Sequence, residues 1–460
     1  MQESECVMNQ KPEGKPDRVA SQMPSPAEET QNPPDRWSWV ERSVWTERML
    51  SRLGSTELKD RVWYTLVDKT YAAANLRSAY EKVRANRGGP GVDGQTLERF
   101  AEQAGPELER LAEELRSGRY RPQPVRRTWI DKAGSTEKRP LGIPAVRDRI
   151  VQGAVRHVLE PIFEAEFAEH SYGFRPGRGA KDALRRVNDL VRMGYAHVVD
   201  ADLKSYFDTI PHDKLMGLVK SRAADGRLLA LVEGFLKAGV MEATQGWQAS
   251  ELGTPQGGVI SPMLANLYMN PLDHEMARQG WEMVRYADDF VILCRSAADA
   301  EKALEGVRAW VKEAGLTLHP TKTRLVDLSR GEGFDFLGYH FERGRKWPRK
   351  KSLEKLKETI CEQTGRTDGR SFRAIIAKLN RTLKGWFEYF KHSVKWTFEP
   401  VDGFVRRRLR SLLEKRRGYT RSGKGRAQNR YPNAWFARRG LYSLSTAYDV
   451  EVMIAAARRR

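Results

Sequence analysis

Two adjacent aspartates, Asp288 and Asp289, interrupt a run that is otherwise apolar and β-branched. Trp281-Glu282-Met283-Val284-Arg285-Tyr286-Ala287 precedes them and Phe290-Val291-Ile292-Leu293-Cys294 follows. This pattern predicts a β-hairpin with an acidic tip. Neighbouring carboxylates raise each other's pKa and are costly together unless a cation joins them. Taken alone, Tyr-Ala-Asp-Asp is equally what a solvated turn looks like, because Asp favours turns. A second segment tips the balance. His197-Val198-Val199-Asp200-Ala201-Asp202-Leu203-Lys204-Ser205-Tyr206-Phe207-Asp208 reads as a strand entering a helix, with acids at the strand's end. Two such strands can bring three oxygen donors around a metal pair roughly 3.5–4 Å apart, the arrangement used for in-line phosphoryl transfer. All-oxygen donors suit Mg²⁺. Strand alternation puts Asp200 and Asp202 on one face, so periodicity leaves the choice between them open.

Between these segments lies Thr254-Pro255-Gln256-Gly257-Gly258-Val259-Ile260-Ser261-Pro262. An acidic strand, a Pro-Gln-Gly loop and Tyr-Ala-Asp-Asp, in that order, resemble the reverse transcriptases encoded by bacterial group II introns, over roughly residues 70 to 450. The resemblance implies an α+β right-hand polymerase. Fingers and palm, with an antiparallel sheet, would span 70–342, a basic linker 343–352, and an α-helical thumb or maturase region 353–460. It implies two Mg²⁺ held by Asp202, Asp288 and Asp289, with Asp288 the more direct ligand of the last two and Asp200 in support. It makes Gln256 a contact to the incoming nucleotide. It also puts Phe207 beneath the sugar, where a ring would clash with a 2′-hydroxyl and favour dNTPs; core packing is the other reading of Phe207. Asp208 and His212 read as structural, with Pro211 early in a helix. The implied partners are the parent intron RNA, an RNA template, a DNA primer or target, and dNTPs. Some relatives carry a C-terminal His-Asn-His nuclease with paired cysteines. No such cysteines and no histidine follow His392, so no DNA nicking is expected.

Composition agrees with a polyanionic partner. Lysine and arginine total 80 against 60 acids, a net charge of +20, which makes binding salt-dependent through counterion release. No apolar run is long enough for a membrane span, and residues 1–6 lack the pattern of a signal peptide. Three widely spaced cysteines exclude a disulfide framework and point to a reducing cytoplasm, which the resemblance implies is bacterial. A homo-oligomer is compatible with the sequence.

Residues 1–34 are poor in apolar groups and are expected to be disordered. A helical extension over 35–69 follows, with Trp37 to Leu53 an amphipathic helix that either packs on the body or touches RNA. Helices are expected over Leu76–Arg84 and Leu97–Arg116, separated by Arg87-Gly88-Gly89-Pro90-Gly91-Val92-Asp93-Gly94. Val125–Ile130 and Lys138–Pro144 predict a basic fingers hairpin. Lys138 and Arg139, then Arg147, are the candidates to neutralise a triphosphate. After a helix over Val146–Phe167, the block Ser171–Arg178 offers Arg175 and Arg178 to template phosphates. Ser261 is expected to cap a helix that has Pro262 in its first turn. A helix over Ala298–Ala314 should stop at Gly315, and Phe334–Phe341 should close the palm as strands. Lys322 reaches a phosphate or is simply exposed. In the thumb, helices over Leu353–Ile360 and Phe372–Phe390 precede a segment, 401–460, with 16 lysines and arginines against 4 acids. Lys384, Arg406, Arg407, Arg416 and Arg417 are its RNA-binding candidates, and Arg421–Arg430 a basic loop. Two competing readings are an RNA-binding splicing factor with a vestigial polymerase and a host-domesticated reverse transcriptase in defence or repair. The intact Asp202, Asp288 and Asp289 argue against the first.

Overall fold

The computed structural model describes residues 36–53, 61–131, 138–242, 244, 246–419 and 425–457. The chain divides into two compact units, residues 1–39 and 40–460. In the first, the described residues form a turn in which Trp39 Nε1 donates to the Arg36 carbonyl at 2.9 Å. The segment expected to be disordered lies outside the described residues.

In the second unit the described residues form eleven strands: β1 (Val125–Asp131), β2 (Lys138–Ile143), β3 (His197–Asp202), β4 (Val240–Glu242), β5 (Gly246–Gln248), β6 (Glu282–Tyr286), β7 (Asp289–Cys294), β8 (Arg324–Asp327), β9 (Gly333–Phe336), β10 (Tyr339–Glu342) and β11 (Arg345–Pro348). They make three sheets, ordered β2-β1-β4-β5, β6-β7-β3-β8 and β11-β10-β9. The fold is α+β, with the first sheet as fingers, the second as palm and a helical C-terminal region.

The palm sheet is antiparallel throughout. Its strand β7 is buried from Phe290 to Cys294, as an apolar run with neighbours on both edges should be. The fourth strand, β8, has only four residues, two of them exposed, and carries no alternation that a sequence reading could detect. The strands β9 and β10 cover the palm through Phe334, Phe336, Tyr339 and Phe341, which share its core, but they do not join its sheet. They pair with β11 in the separate small sheet. The expected linker is therefore partly a strand: Arg345–Pro348 pairs with Tyr339–Glu342, and the proline stands at the strand's end, where its missing N–H costs nothing.

Several helices differ from expectation. Leu97–Arg116 is two helices, Leu97–Glu102 and Ala104–Arg116. Thr96 caps the first, and Pro106 in the opening turn of the second has no N–H to continue the ladder. The helix expected from Trp37 covers only Glu47–Leu53. Ser261 lies inside the helix Ser261–Arg278 and does not cap it. Its hydroxyl instead accepts from Thr254 Oγ1 (2.7 Å) and donates to the Pro255 carbonyl (2.8 Å), fastening the Pro-Gln-Gly loop. Part of the supposed basic loop is helical, Arg426–Arg430. The helices Val146–Glu164, Ala180–Arg192, Ala297–Glu313, Lys350–Gln363 and Phe372–Phe390 form where the apolar spacing puts them. Helix Ala180–Arg192 lays Leu184, Val187 and Leu190 on the palm strands, while Phe398–Arg416 and its neighbours bury Leu379, Leu383, Phe387, Phe398 and Leu409 in the thumb core. No helix among the described residues is long and apolar enough to cross a membrane.

Helix Val146–Glu164 is buried on almost every side and holds a satisfied neutral histidine. His157 Nε2 lies 2.7 Å from the Lys82 ammonium, a donor only, so Nε2 accepts and Nδ1 donates to Asn75 Oδ1 at 2.7 Å. Burial, helped by the Lys82 charge, pushes this imidazole down to about 4. The unfolded chain takes up the proton near pH 6.5 and the folded one only near 4. His157 therefore removes on the order of 3 kcal/mol of stability as pH falls through that window, and nothing above it. His157→Gln should flatten this part of the stability–pH curve, measured by urea unfolding between pH 7 and 4.

Candidate active site

The acidic tip is a two-residue connection. Tyr286 pairs with Asp289 across the hairpin, leaving Ala287 and Asp288 as the turn. Ala287 adopts φ +60°, a left-handed conformation that favours glycine but that a methyl group still tolerates. A fully buried arginine holds the turn from beneath. Arg285 forks onto Asp273 (Nε 2.8 Å to Oδ1) and gives Nη1 to Asn266 Oδ1 and to the Ala287 carbonyl, both at 2.9 Å. Asn266 Nδ2 in turn donates to the Gly173 carbonyl at 2.6 Å. Residues 170–173 run beside β6, with Tyr172 N–H donating to the Arg285 carbonyl (2.9 Å) and Arg285 N–H to that of His170 (3.0 Å). This brings Gly173 against the turn so closely that a Cβ there would lie 2.3 Å from the Ala287 nitrogen.

Antiparallel pairing of β3 with β7 sets Asp202 directly opposite Asp289. Directly opposed residues have Cβ atoms about 4.5–5.5 Å apart. The two distant segments therefore do meet, with Asp288 adjoining. Burial and then the nearby acids push Asp289 up to about 7, and burial, with Asp202 among its neighbours, raises Asp288. Burial likewise lifts Asp200 to about 6 against the pull of Arg324, whose Nε is 3.2 Å from Asp200 Oδ2. Lys322 Nζ stands 2.5 Å from Asp202 Oδ2, where its ammonium occupies an oxygen that a metal ion would use. Among the described residues no three carboxylate, imidazole or thiol groups converge into a ready-formed metal cage. The donor set still fits a hard dication: carboxylates held above their ordinary pKa by burial and by one another, and an exposed lysine able to swing away.

A second chain of contacts joins the fingers to the palm. Gly142 N–H at the end of β2 donates to the Gln256 carbonyl at 2.7 Å. The Gln256 amide then spans the gap: its Oε1 accepts from Arg139 Nε (2.6 Å) and its Nε2 donates to Asp208 Oδ2 (3.3 Å). The Arg139 charge partly offsets the burial that raises both Asp208 and Asp288. Lys138, exposed beside it, faces Asp131 across the hairpin. Phe207 is buried, edge-on to Phe174 at 6.5 Å, and its carbonyl accepts from Thr254 N–H at 2.7 Å. Asp208 is thus more than a helix entry. Arg285, Asp273 and Asn266 were missed because their partners lie far away along the chain and their spacing carries no signal.

Two arginines are corrected. Arg175 is buried, forked onto Glu164 (Nη2 2.7 Å to Oε1), and donates Nη1 to the Ala168 and Ser171 carbonyls at 2.6 and 2.7 Å. With every donor turned inward it shapes its block and does not face a template. Arg147 pairs with Glu114 beside the Tyr120 ring, so its charge is already partnered. Arg178 is half-buried, donating to the Glu169 carbonyl. Lys384, Arg407 and Arg417 are exposed, Lys384 over the Tyr442 ring and Arg407 over that of Phe404. Arg406 is half-buried, and Arg416 is exposed but donates to the Asp368 and Arg370 carbonyls.

Residues 130–341 match the reverse transcriptase (RNA-dependent DNA polymerase) family and residues 353–431 the group II intron maturase-specific domain. The chain belongs to the group II intron-encoded reverse transcriptases. It is 35% identical over 329 residues to Protein YkfC of Escherichia coli, covering 63% of this chain and 84% of that protein. It is 40% identical over 197 residues to the group II intron-encoded protein LtrA of Lactococcus lactis, covering 42% of this reverse transcriptase but 32% of LtrA. An uncharacterized 91 kDa protein in the cob intron of Schizosaccharomyces pombe is 28% identical over 399 residues, covering 68% and 49% of the two chains. The matched domains meet the geometry at the cleft: the first contains Asp202, Gln256, Asp288 and Asp289 together.

Gly173→Ala would push the acidic turn aside. It should lower the single-turnover primer-extension rate of this reverse transcriptase by roughly 10- to 100-fold, the scale of a 1 Å misplacement, and lower the melting temperature as well, because the clash is with backbone that cannot swing away.

Proposed function

We propose that this reverse transcriptase copies RNA into DNA by in-line attack of a primer 3′-hydroxyl on the α-phosphate of a dNTP, and that it binds its parent intron RNA to assist splicing. The observation that carries the first part is the register that sets Asp202 opposite Asp289 beside Asp288. Two Mg²⁺ held by these three carboxylates would activate the hydroxyl and stabilise the leaving pyrophosphate. The chain's own residues do the rest. Arg139 and Lys138 on β2 neutralise the triphosphate, since phosphoryl transfer relies on positioning and charge. Gln256, held by its backbone to Gly142 and by its amide to Arg139 and Asp208, presents a fixed edge to the incoming nucleotide. Phe207, pinned against Phe174 and the Thr254 N–H, serves as the floor under the sugar.

The maturase role rests on binding energy, not side-chain chemistry. Arg178 beside the palm and Lys384, Arg406, Arg407, Arg416 and Arg417 in the thumb are the proposed RNA contacts, favoured by their outward or half-outward placement and by the net charge of +20. Its two described cysteines, Cys294 and Cys361, are free, which suits a reducing bacterial cytoplasm.

Primer extension on poly(rA) with oligo(dT) and Mg²⁺ tests the reading. Wild type should incorporate dTTP, and Asp288→Ala should lose incorporation by at least about 10³-fold while binding intron RNA within about 3-fold of wild type. Wild-type protein that binds RNA without incorporation would leave only the splicing-factor reading. Phe207→Ala should narrow the dNTP-to-NTP preference in kcat/KM by about 10-fold or more. An unchanged ratio would restrict Phe207 to core packing.

A further inference from the structure

A concave cleft of about 530 Å³ lies between helix Ala180–Arg192, the β10–β11 hairpin, residues 391–394 and the helix Leu444–Ala457. None of Asp202, Asp288, Asp289, Arg139 or Gln256 lines it. Its walls are cationic. Lys181, Arg185 and Arg192 follow one another at helical spacing along one stripe, and Arg345, Lys346 and Lys391 face them from the opposite side. The stripe cannot turn away, because Leu184, Val187 and Leu190 of the same helix are fixed in the palm core.

Acid does not balance this charge. Only Asp189 and Glu451 line the cleft beside these cations. Glu451 is engaged by Lys391 at 3.1 Å, and Arg185 has Asp182 at 3.0 Å. Lys181, Arg192 and Arg345 have no carboxylate within 4.0 Å among the described residues. The ammonium of Lys346 sits over the Tyr339 and Phe341 rings, 5.7 and 5.9 Å from their centres. Burial, then the neighbouring Arg192, pushes it down to about 8. Cations crowd together in a partly desolvated hollow at a cost that an anion would relieve. From Lys181 to Arg192 the stripe runs about 16 Å along the helix, longer than one phosphate needs and long enough for successive phosphates of a strand.

We propose that this cleft binds the phosphodiester backbone of an RNA strand, as a second nucleic-acid surface distinct from the catalytic cleft. The proposal takes its choice of RNA from the reverse transcriptase reading. Phosphates would pair in turn with Lys181, Arg185 and Arg192 on one wall and with Arg345 and Lys346 on the other, in the sequence-independent manner of backbone contacts.

The test compares salt dependence of RNA binding by the full chain. Fluorescence anisotropy with a labelled structured RNA is followed from 50 to 300 mM KCl, roughly the range over which counterion release dominates. A Lys181→Gln, Arg185→Gln, Arg192→Gln variant changes three exposed side chains, and a Lys302→Gln, Arg308→Gln, Lys312→Gln control removes equal charge from the exposed face of helix Ala297–Glu313. The cleft variant should lower the slope of log K against log salt by about 2, at roughly 0.7–0.9 per lost phosphate contact, and weaken binding at least about 10-fold near 150 mM. Its primer-extension rate on a short template–primer should match wild type, and the control slope should stay at the wild-type value. An unchanged slope in the cleft variant, or an equal fall in both variants, overturns the proposal. If wild type itself extends no primer, the reverse transcriptase reading falls instead, so the two failures are distinguishable.

Discussion

The buried guanidinium of Arg285 is the interaction on which the geometry of the acidic turn depends. It spends its donors on Asp273, Asn266 and the Ala287 carbonyl, and so ties the turn to the helix Ser261–Arg278. A buried ion pair of this kind is a weak source of net stability, because desolvation offsets most of the Coulombic gain. What it supplies is position. A turn with a left-handed alanine and two crowded carboxylates has no local reason to hold its shape, and a planar fork with fixed angles gives it one. Gly173 completes the clamp by allowing backbone to approach where any side chain would collide.

The same economy appears where the fingers meet the palm. Gln256 is fixed at both ends, by Gly142 N–H on its backbone and by Arg139 and Asp208 on its amide. In the proposed mode, a nucleotide entering between Arg139 and the acidic turn would meet groups whose rotamers are already set, which would lower the ordering cost of binding. The Ser261 hydroxyl, which accepts from Thr254 Oγ1 and donates to the Pro255 carbonyl, carries that order back into the core.

The parts legible in the sequence were those with a period or a motif. The hairpin Glu282–Cys294, the acidic strand β3 and the long helices declared themselves through apolar spacing, and Asp202, Asp288 and Asp289 through their order along the chain. Periodicity left Asp200 and Asp202 equivalent; the structure separates them, with Asp202 opposite Asp289 and Asp200 paired with Arg324. What could not be read depended on partners far away in sequence. Arg175 looks identical to a phosphate ligand until Glu164 is seen beside it. The strand β11 looks like a linker until β10 supplies its hydrogen bonds. Charge in a sequence reports only that a group is ionised, and the direction it faces is decided by tertiary contacts.

The order of the fingers sheet carries a consequence for biosynthesis. Strand β1 lies between β2, its neighbour in the chain, and β4, which is encoded more than a hundred residues later. A two-stranded hairpin is marginal by itself and exposes an open edge. At a translation speed of about 5–20 residues per second, that edge waits roughly 5–20 s on the ribosome before β4 can cover it. What β4 covers is the backbone edge at Val125 and Arg126, so during that interval the nascent polypeptide carries an unpaired edge next to Trp129 and Ile130, which stay exposed even in the folded protein. Slow elongation would lengthen the hazard, and an early RNA or chaperone contact with the hairpin would shorten it.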